Sequence, residues 1–81
     1  MSSKTAFLEH VLKDPGRVYR RAPINVVRDR RLTNAERLQI LHIWENIAKT
    51  ADSDERVLIE GIALARKEVE RSIKTGERHA Q

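Results

Sequence analysis

The chain has 81 residues, 40% of them hydrophobic and 35% charged, with a mean hydropathy of -0.60 and a net charge of +4. This length leaves room for one small domain over residues 1–81, and the aliphatic content is too high for a disordered chain. No cysteine is present, which excludes a disulfide framework and any Cys-ligated zinc or iron centre and favours a cytoplasmic location.

The N-terminal part of the sequence, before residue 34, contains both prolines and predicts two short helices. Thr5 is a candidate cap for a helix over 6–13. The sequence Asp14-Pro15-Gly16 should end that helix, because a residue before proline leaves the helical region. Pro23 is favoured at the first helical position and predicts a second short helix that ends at about Arg28.

A capping box marks the start of the third helix, which we expect at about residues 34–50. The Thr33 hydroxyl can accept from the amide of Glu36, while the Glu36 carboxylate accepts from the amide of Thr33. Helical periodicity places the apolar residues that follow on one wide arc: Ile40, Leu41, Ile43, Trp44, Ile47, Ala48 and Ala51. An arc this broad should contact two neighbouring elements, with Trp44 near the centre of the core.

A long last helix is expected at about residues 54–75, capped by Asp52 or Ser53 and closed by Gly76. Residues 57–65 are apolar on almost every side, which predicts burial against the third helix and the N-terminal part of the chain. Residues 1–4 and 76–81 are expected to be disordered tails.

Beyond residue 65, only Val69 and Ile73 continue the apolar row of the last helix. A narrow seam of this kind, projecting past the core of the domain, predicts a homodimer or a contact with a partner helix. A packed helix end with a solvated outer face explains the same pattern. Both interpretations stay open, because about two heptads are fewer than a coiled-coil assignment requires.

Together these elements predict an all-α domain in which two short N-terminal helices pack on a long helical hairpin. The first residues lack the continuous apolar run of a signal peptide. No segment approaches the roughly 18 apolar residues of a membrane span. We therefore expect neither export by a signal peptide nor contact with a membrane.

Residues 23–45 contain the spaced pattern P-x-x-V-x-x-D-x-x-L-x-x-x-E-x-x-x-I-L-x-x-W-E, from Pro23 to Glu45. This pattern resembles a box in small helical proteobacterial proteins that carry no assigned activity, and it covers roughly a third of the chain. The resemblance implies a bacterial cytoplasmic helical module and transfers no mechanism. The box continues with an acidic, arginine-containing run where this chain has Asn-Ile-Ala-Lys at 46–49, which implies a different partner for the last helix.

Positive charge is concentrated in residues 13–37, which hold eight basic and three acidic side chains. Six of these are arginines near Tyr19 and are suited to an anionic partner: Arg17, Arg20, Arg21, Arg28, Arg30 and Arg31. If the six arginines neutralised six phosphates of duplex DNA, a plot of the logarithm of the binding constant against the logarithm of the salt concentration would have a slope of about -5. Only one aromatic accompanies the arginines, and no helix-turn-helix signature or RNA-binding aromatic pair is present, so a solvated or salt-bridged surface is favoured over a nucleic-acid interface.

Catalytic groups are few: serines stand at 2, 3, 53 and 72 and histidines at 10, 42 and 79, with no converging partners. The acidic residues at 52, 54 and 55 lack the glycine and distal glutamate of a calcium loop. We therefore expect no catalytic, metal or cofactor site. The sequence favours a non-enzymatic protein-interaction or structural module with a protein partner. The alternative is a nucleic-acid-binding accessory protein that uses residues 17–31.

Overall fold

The computed structural model describes residues 3–50 and 55–79 and contains, within these ranges, five helices and no strand. In chain order they are α1 (Ser3–Lys13), α2 (Pro15–Val18), α3 (Ile24–Arg28), α4 (Asn34–Thr50) and α5 (Arg56–His79). The two longest helices, α4 and α5, pack against each other, and α3 packs on both of them. The predicted all-α class and the long helical hairpin are confirmed.

Asp14 and Pro15 form a junction between two helices, where the sequence predicts only the end of one. Asp14 caps α2, because its Oδ1 accepts from the backbone N–H of Arg17 at 3.3 Å. Pro15 occupies the first turn of α2, a position that needs no backbone donor. The N-terminal part therefore has three short helices, and the expectation of two missed α2. The first helix also begins at Ser3, ahead of the predicted position 6.

The predicted capping box at the start of α4 is confirmed. The backbone N–H of Thr33 donates to Glu36 Oε1 at 2.8 Å, and the backbone N–H of Glu36 donates to Thr33 Oγ1 at 3.2 Å. Pro23 is the residue before α3, so this helix begins at Ile24, one residue later than predicted.

A single core joins the hairpin to the N-terminal helices. Trp44 is 2% exposed and lies in this core, as predicted. The buried residues of this core cluster are Val11, Tyr19, Val26, Leu32, Ile40, Leu41, Trp44, Ala48, Ile62, Ala65 and Val69. Ile47 is 43% exposed, so the apolar arc predicted for α4 is narrower than the sequence suggests.

The last helix differs from its prediction at both ends. It begins at Arg56 and continues through Gly76 to His79, because a glycine lowers helix stability by about 1 kcal/mol without stopping the helix. The predicted caps Asp52 and Ser53 lie outside the described residues. Of the expected tails, residues 3, 4 and 76–79 lie within helices, and residues 1, 2, 80 and 81 lie outside the described ranges.

The first half of α5 is also less buried than predicted. Val57 is 83% exposed and Leu64 is 64% exposed. Their neighbours in the helix, Ile62 and Ala65, are buried. The helix packs against α3 and α4 on one side only, so its outward face retains apolar residues. Within the described part of the chain, no helix has the length and apolar character required to cross a bilayer.

Candidate functional site

The six predicted arginines lie on a short stretch of chain that spans α2, α3 and the loop before α4. Arg17 belongs to α2, Arg28 is the last residue of α3, and the other four occupy the turns that follow these helices. All six side chains are exposed. We call this set the arginine surface: Arg17, Arg20, Arg21, Arg28, Arg30 and Arg31.

Asp29 is the centre of the polar network beneath the arginine surface. Its Oδ2 accepts from the Tyr19 hydroxyl at 2.9 Å and from Arg31 Nη2 at 2.9 Å. Its Oδ1 accepts from the backbone N–H and the Nε of Arg31 at 3.0 and 2.9 Å. The hydrogen bonds from Arg31 lower the pKa of Asp29 to about 2, and burial raises the pKa of Tyr19 above its ordinary range.

Arg31 and a further arginine, Arg37, attach this network to the rest of the fold. The Arg31 guanidinium lies 4.3 Å from the centroid of the Phe7 ring, which connects the loop to α1. Arg37, in α4, donates from Nη2 to the Asp29 carbonyl at 2.9 Å and from Nη1 to Asn34 Oδ1 at 2.7 Å. The loop before α4 is therefore tied to two helices by side-chain contacts.

The arginine surface divides into paired and unpaired side chains. Arg31 is paired with Asp29, and Arg21 donates to Glu55 Oε1 at 2.8 Å. The other four guanidiniums have no hydrogen-bond or ion-pair partner among the residues that the structure describes: Arg17, Arg20, Arg28 and Arg30. The predicted internal salt bridging thus accounts for two of the six arginines.

The turn after α2 holds two arginines in an unfavourable backbone conformation. Arg20 has φ 54° and Arg21 has φ 59°, a region that costs a non-glycine residue about 1 to 2 kcal/mol. Backbone hydrogen bonds hold the turn, with Arg21 N–H donating to the Gly16 carbonyl at 2.7 Å and Ala22 N–H to the Tyr19 carbonyl at 3.0 Å. Asn25 Nδ2 donates to the same Tyr19 carbonyl at 3.0 Å.

A depression of about 330 Å³ lies within the arginine surface. Arg20 and Arg28 line it together with the hydrogen-bonded group formed by Tyr19, Asp29 and Arg31. Because Arg31 already neutralises Asp29, the two unpaired guanidiniums give the depression its net positive charge. Two larger depressions lie along α5, one of about 610 Å³ beside Pro23 and Gly61 and one of about 560 Å³ beside Ile73.

The residues predicted for self-association do not form an exposed seam. Val69 is 1% exposed and belongs to the core of this chain, and its part in self-association stays a prediction. Ile73 is half-buried and packs against the same core. The exposed apolar side chains of α5 are Val57 and Leu64, which are seven residues apart and therefore share one face of the helix.

Within the described ranges, no group of three or more His, Cys, Asp or Glu side chains is arranged to hold a metal ion. The chain matches no protein-family model, no curated protein and no solved structure. The resemblance of residues 23–45 therefore stays a prediction.

Most residues of that box are buried or make hydrogen bonds within this chain. Val26 and Leu32 are buried, and Glu36 completes the capping box. Asp29 organises the network under the arginine surface, and Glu45 Oε1 accepts from Arg66 Nη1 at 2.9 Å. The pattern is thus a folding pattern in this chain.

The sequence predicted a solvated or salt-bridged surface here but did not identify Asp29 as its centre. The signal is present in the sequence, since an aspartate that follows a short helix and precedes two arginines is well placed for a local side-chain to backbone hydrogen bond. The long-range contact with Tyr19, ten residues earlier, has no comparable local signal.

Proposed function

We propose that this protein is a non-enzymatic interaction module of a bacterial cytoplasm, which binds an acidic protein partner through the arginine surface. One observation carries the proposal: four exposed guanidiniums have no partner within the described part of the chain. Unpaired arginines on one short stretch of chain attract carboxylates and donate to them in pairs.

The backbone under the arginine surface supports this function because it is already fixed. The Arg20 turn is held by hydrogen bonds to the carbonyls of Gly16 and Tyr19, and the loop after α3 is held through Asp29 and Arg37. Only the arginine side chains need to be ordered when a partner binds. A preorganised surface of this kind loses less conformational entropy on association than a flexible basic tail.

The aromatic residues near the arginine surface favour an acidic protein over single-stranded nucleic acid. Tyr19 is 5% exposed and its hydroxyl is bonded to Asp29, so its ring is not free to stack on a base. The Phe7 ring is covered on one face by Arg31. Carboxylates require guanidiniums and no aromatic face, which is what this surface offers.

Duplex nucleic acid is the second candidate, because phosphate contacts need no stacking. Four unpaired guanidiniums would give a log-log salt slope of about -3.5 on duplex DNA, which is shallower than the slope expected for six. The slope and the preferred polyanion together separate the two candidates.

The test is the light-scattering mass of the purified protein with poly-glutamate, duplex DNA or single-stranded RNA, at low and moderate salt. We expect a complex with poly-glutamate that weakens as salt rises. A variant that carries Arg17→Gln, Arg28→Gln and Arg30→Gln should lose this complex. The mass of the protein alone reports whether it forms a homodimer.

The matched control removes the same charge from the exposed part of α5, with Lys67→Gln, Arg71→Gln and Lys74→Gln. This variant should keep the complex, because its arginine surface is intact. Equal loss in both variants, or no complex with any polyanion, would refute the proposal. Tighter binding to duplex DNA, with a salt slope of about -3.5, would replace the acidic protein with nucleic acid.

A further inference from the structure

We propose that Arg20 and Arg28 form a subsite for a phosphomonoester carried by a phosphorylated side chain of the acidic partner. The inference rests on the proposed function and assigns a specific ligand to one part of the arginine surface. Both side chains line the depression of about 330 Å³ that is bounded by α2, the turn after it and α3. Neither has a partner among the described residues.

Arg20 is the residue whose presence the fold does not explain. Its φ of 54° is a conformation that glycine adopts without strain, so an arginine at this position makes the folded chain less stable. Arg21 has the same conformation, but its guanidinium is bonded to Glu55 at 2.8 Å. The Arg20 guanidinium makes no such contact in the described structure, and strained residues of this kind are concentrated at binding sites. A ligand in the depression accounts for the arginine.

The charge of the depression identifies the class of that ligand. Asp29 lines the depression as well, but its carboxylate accepts three hydrogen bonds from Arg31 and one from Tyr19. Its charge is therefore balanced within the fold, and the charges of Arg20 and Arg28 are left for the ligand.

A phosphomonoester carries a charge of about -1.5 to -2 at neutral pH and has three strong acceptor oxygens, so it can engage two guanidiniums at once. A carboxylate or a phosphodiester carries a single charge, which one guanidinium can satisfy in a bidentate pair. Two unpaired guanidiniums on one depression thus match a monoester better than either of these anions. The remaining unpaired arginines, Arg17 and Arg30, lie outside the lining of the depression and are left for flanking carboxylates.

The first measurement compares three peptides by calorimetry: an acidic peptide with a central phosphoserine, the same peptide with serine, and the same peptide with glutamate. We expect the phosphopeptide to bind at least about tenfold tighter than the other two, because it gains charge-assisted hydrogen bonds with two guanidiniums. Inorganic phosphate should compete for the site but bind more weakly than the phosphopeptide. Equal affinity for the phosphoserine and glutamate peptides would overturn the subsite.

The second measurement uses Arg20→Gly, which separates binding from folding. Glycine relieves the backbone strain, so the melting temperature of this small domain should rise by about 4 to 8 °C. The affinity for the phosphopeptide should nevertheless fall about tenfold. A variant that is more stable and binds less cannot owe its loss of binding to unfolding.

Arg21→Gly is the matched control. It removes the same charge from the same backbone conformation, and Arg21 does not line the depression. It should keep the preference for the phosphopeptide. Equal loss of that preference in both variants would overturn the subsite and leave the acidic-partner proposal intact, since poly-glutamate binding tests that proposal separately. If inorganic phosphate binds as tightly as the phosphopeptide, the assignment to a phosphorylated side chain is overturned. If the wild-type protein fails to bind poly-glutamate, both proposals are removed.

Discussion

The α4–α5 hairpin and the N-terminal region of residues 3–33 are stabilised by different interactions. In the hairpin, two long helices pack against each other and carry regularly spaced buried apolar side chains, among them Ile40, Trp44 and Ile62. In the N-terminal region, α2 and α3 have only four and five residues, too few for stable helices in isolation. Hydrogen bonds that the Asp14 and Asp29 carboxylates accept, and one that the Asn25 amide donates, hold these short helices and their turns in place.

This difference shows how a domain of 81 residues can provide both a stable core and a charged binding surface. Apolar burial is the dominant favourable contribution to folding, and the hairpin supplies most of the buried core side chains. The polar network then fixes the N-terminal turns without covering the arginines. A binding surface on short turns can therefore be rigid when local hydrogen bonds replace the stability that long helices would give.

Trp44→Ala tests this contrast between the apolar core and the polar N-terminal network most sharply, and it has the largest expected effect. Removing a 2%-exposed indole from the core should lower the free energy of unfolding by about 3 to 5 kcal/mol, which is most of the stability of a small domain. Urea unfolding followed by far-UV circular dichroism measures this, since Trp44 is the only tryptophan. Leu64→Ala is the control and should change stability by less than about 1 kcal/mol, because Leu64 is 64% exposed. Similar losses in both variants would contradict the assignment of the core.

The sequence predicted the hairpin well because its signals are local and periodic. The box of Thr33 and Glu36 marked the start of α4, and the apolar spacing placed Trp44 in the core. The sequence did not predict which apolar residues of α5 stay exposed. Val57 and Val69 have the same side chain, but Val57 is on the outward face and Val69 is buried, and only the packing of α3 and α4 determines which face is covered.

The N-terminal region was predicted less completely because its interactions depend on three-dimensional contacts. The positions of the six arginines follow from the sequence, but the division into paired and unpaired ones does not, since Arg21 is paired with Glu55, which is 34 residues away. The positive φ of Arg20 was also unpredictable, because arginine gives no signal for that conformation. These two features are what identify the candidate subsite.

Acid titration tests the polar network of the N-terminal region. The pKa of Asp29 is about 2 in the folded chain, below its ordinary 3.8, so the unfolded chain binds the proton more readily. The resulting stability is present above the ordinary value and is lost as the pH falls from 3.8 towards 2. We expect a loss on the order of 1 to 2 kcal/mol over this interval, measured as the urea midpoint at a series of pH values.

Asp29→Asn should remove this part of the pH dependence and should itself destabilise the protein at neutral pH by a similar amount. The control is Glu60→Gln, which removes one acidic charge from an exposed position on α5 and should leave the acid profile close to that of the wild type. An unchanged acid profile in Asp29→Asn would show that the N-terminal region does not depend on the Asp29 network.

The smallest expected effect concerns Gly61, where the N-terminal region contacts the hairpin. A methyl group added at Gly61 would lie 3.5 Å from Pro23 Cγ and 3.7 Å from its Cδ, which is ordinary van der Waals contact. Gly61→Ala should therefore stabilise the protein by about 0.5 to 1 kcal/mol, because it removes a glycine from the interior of α5 without a clash. Thermal melting measures the gain, and Gly61→Val is the comparison, since its larger side chain should push Pro23 away and cancel the benefit. Destabilisation by the alanine variant would mean that α3 packs more closely on α5 than the structure shows.

Unchanged anion binding in the Gly61→Ala variant would show that the arginine surface depends on its own hydrogen bonds and is insensitive to this helix contact.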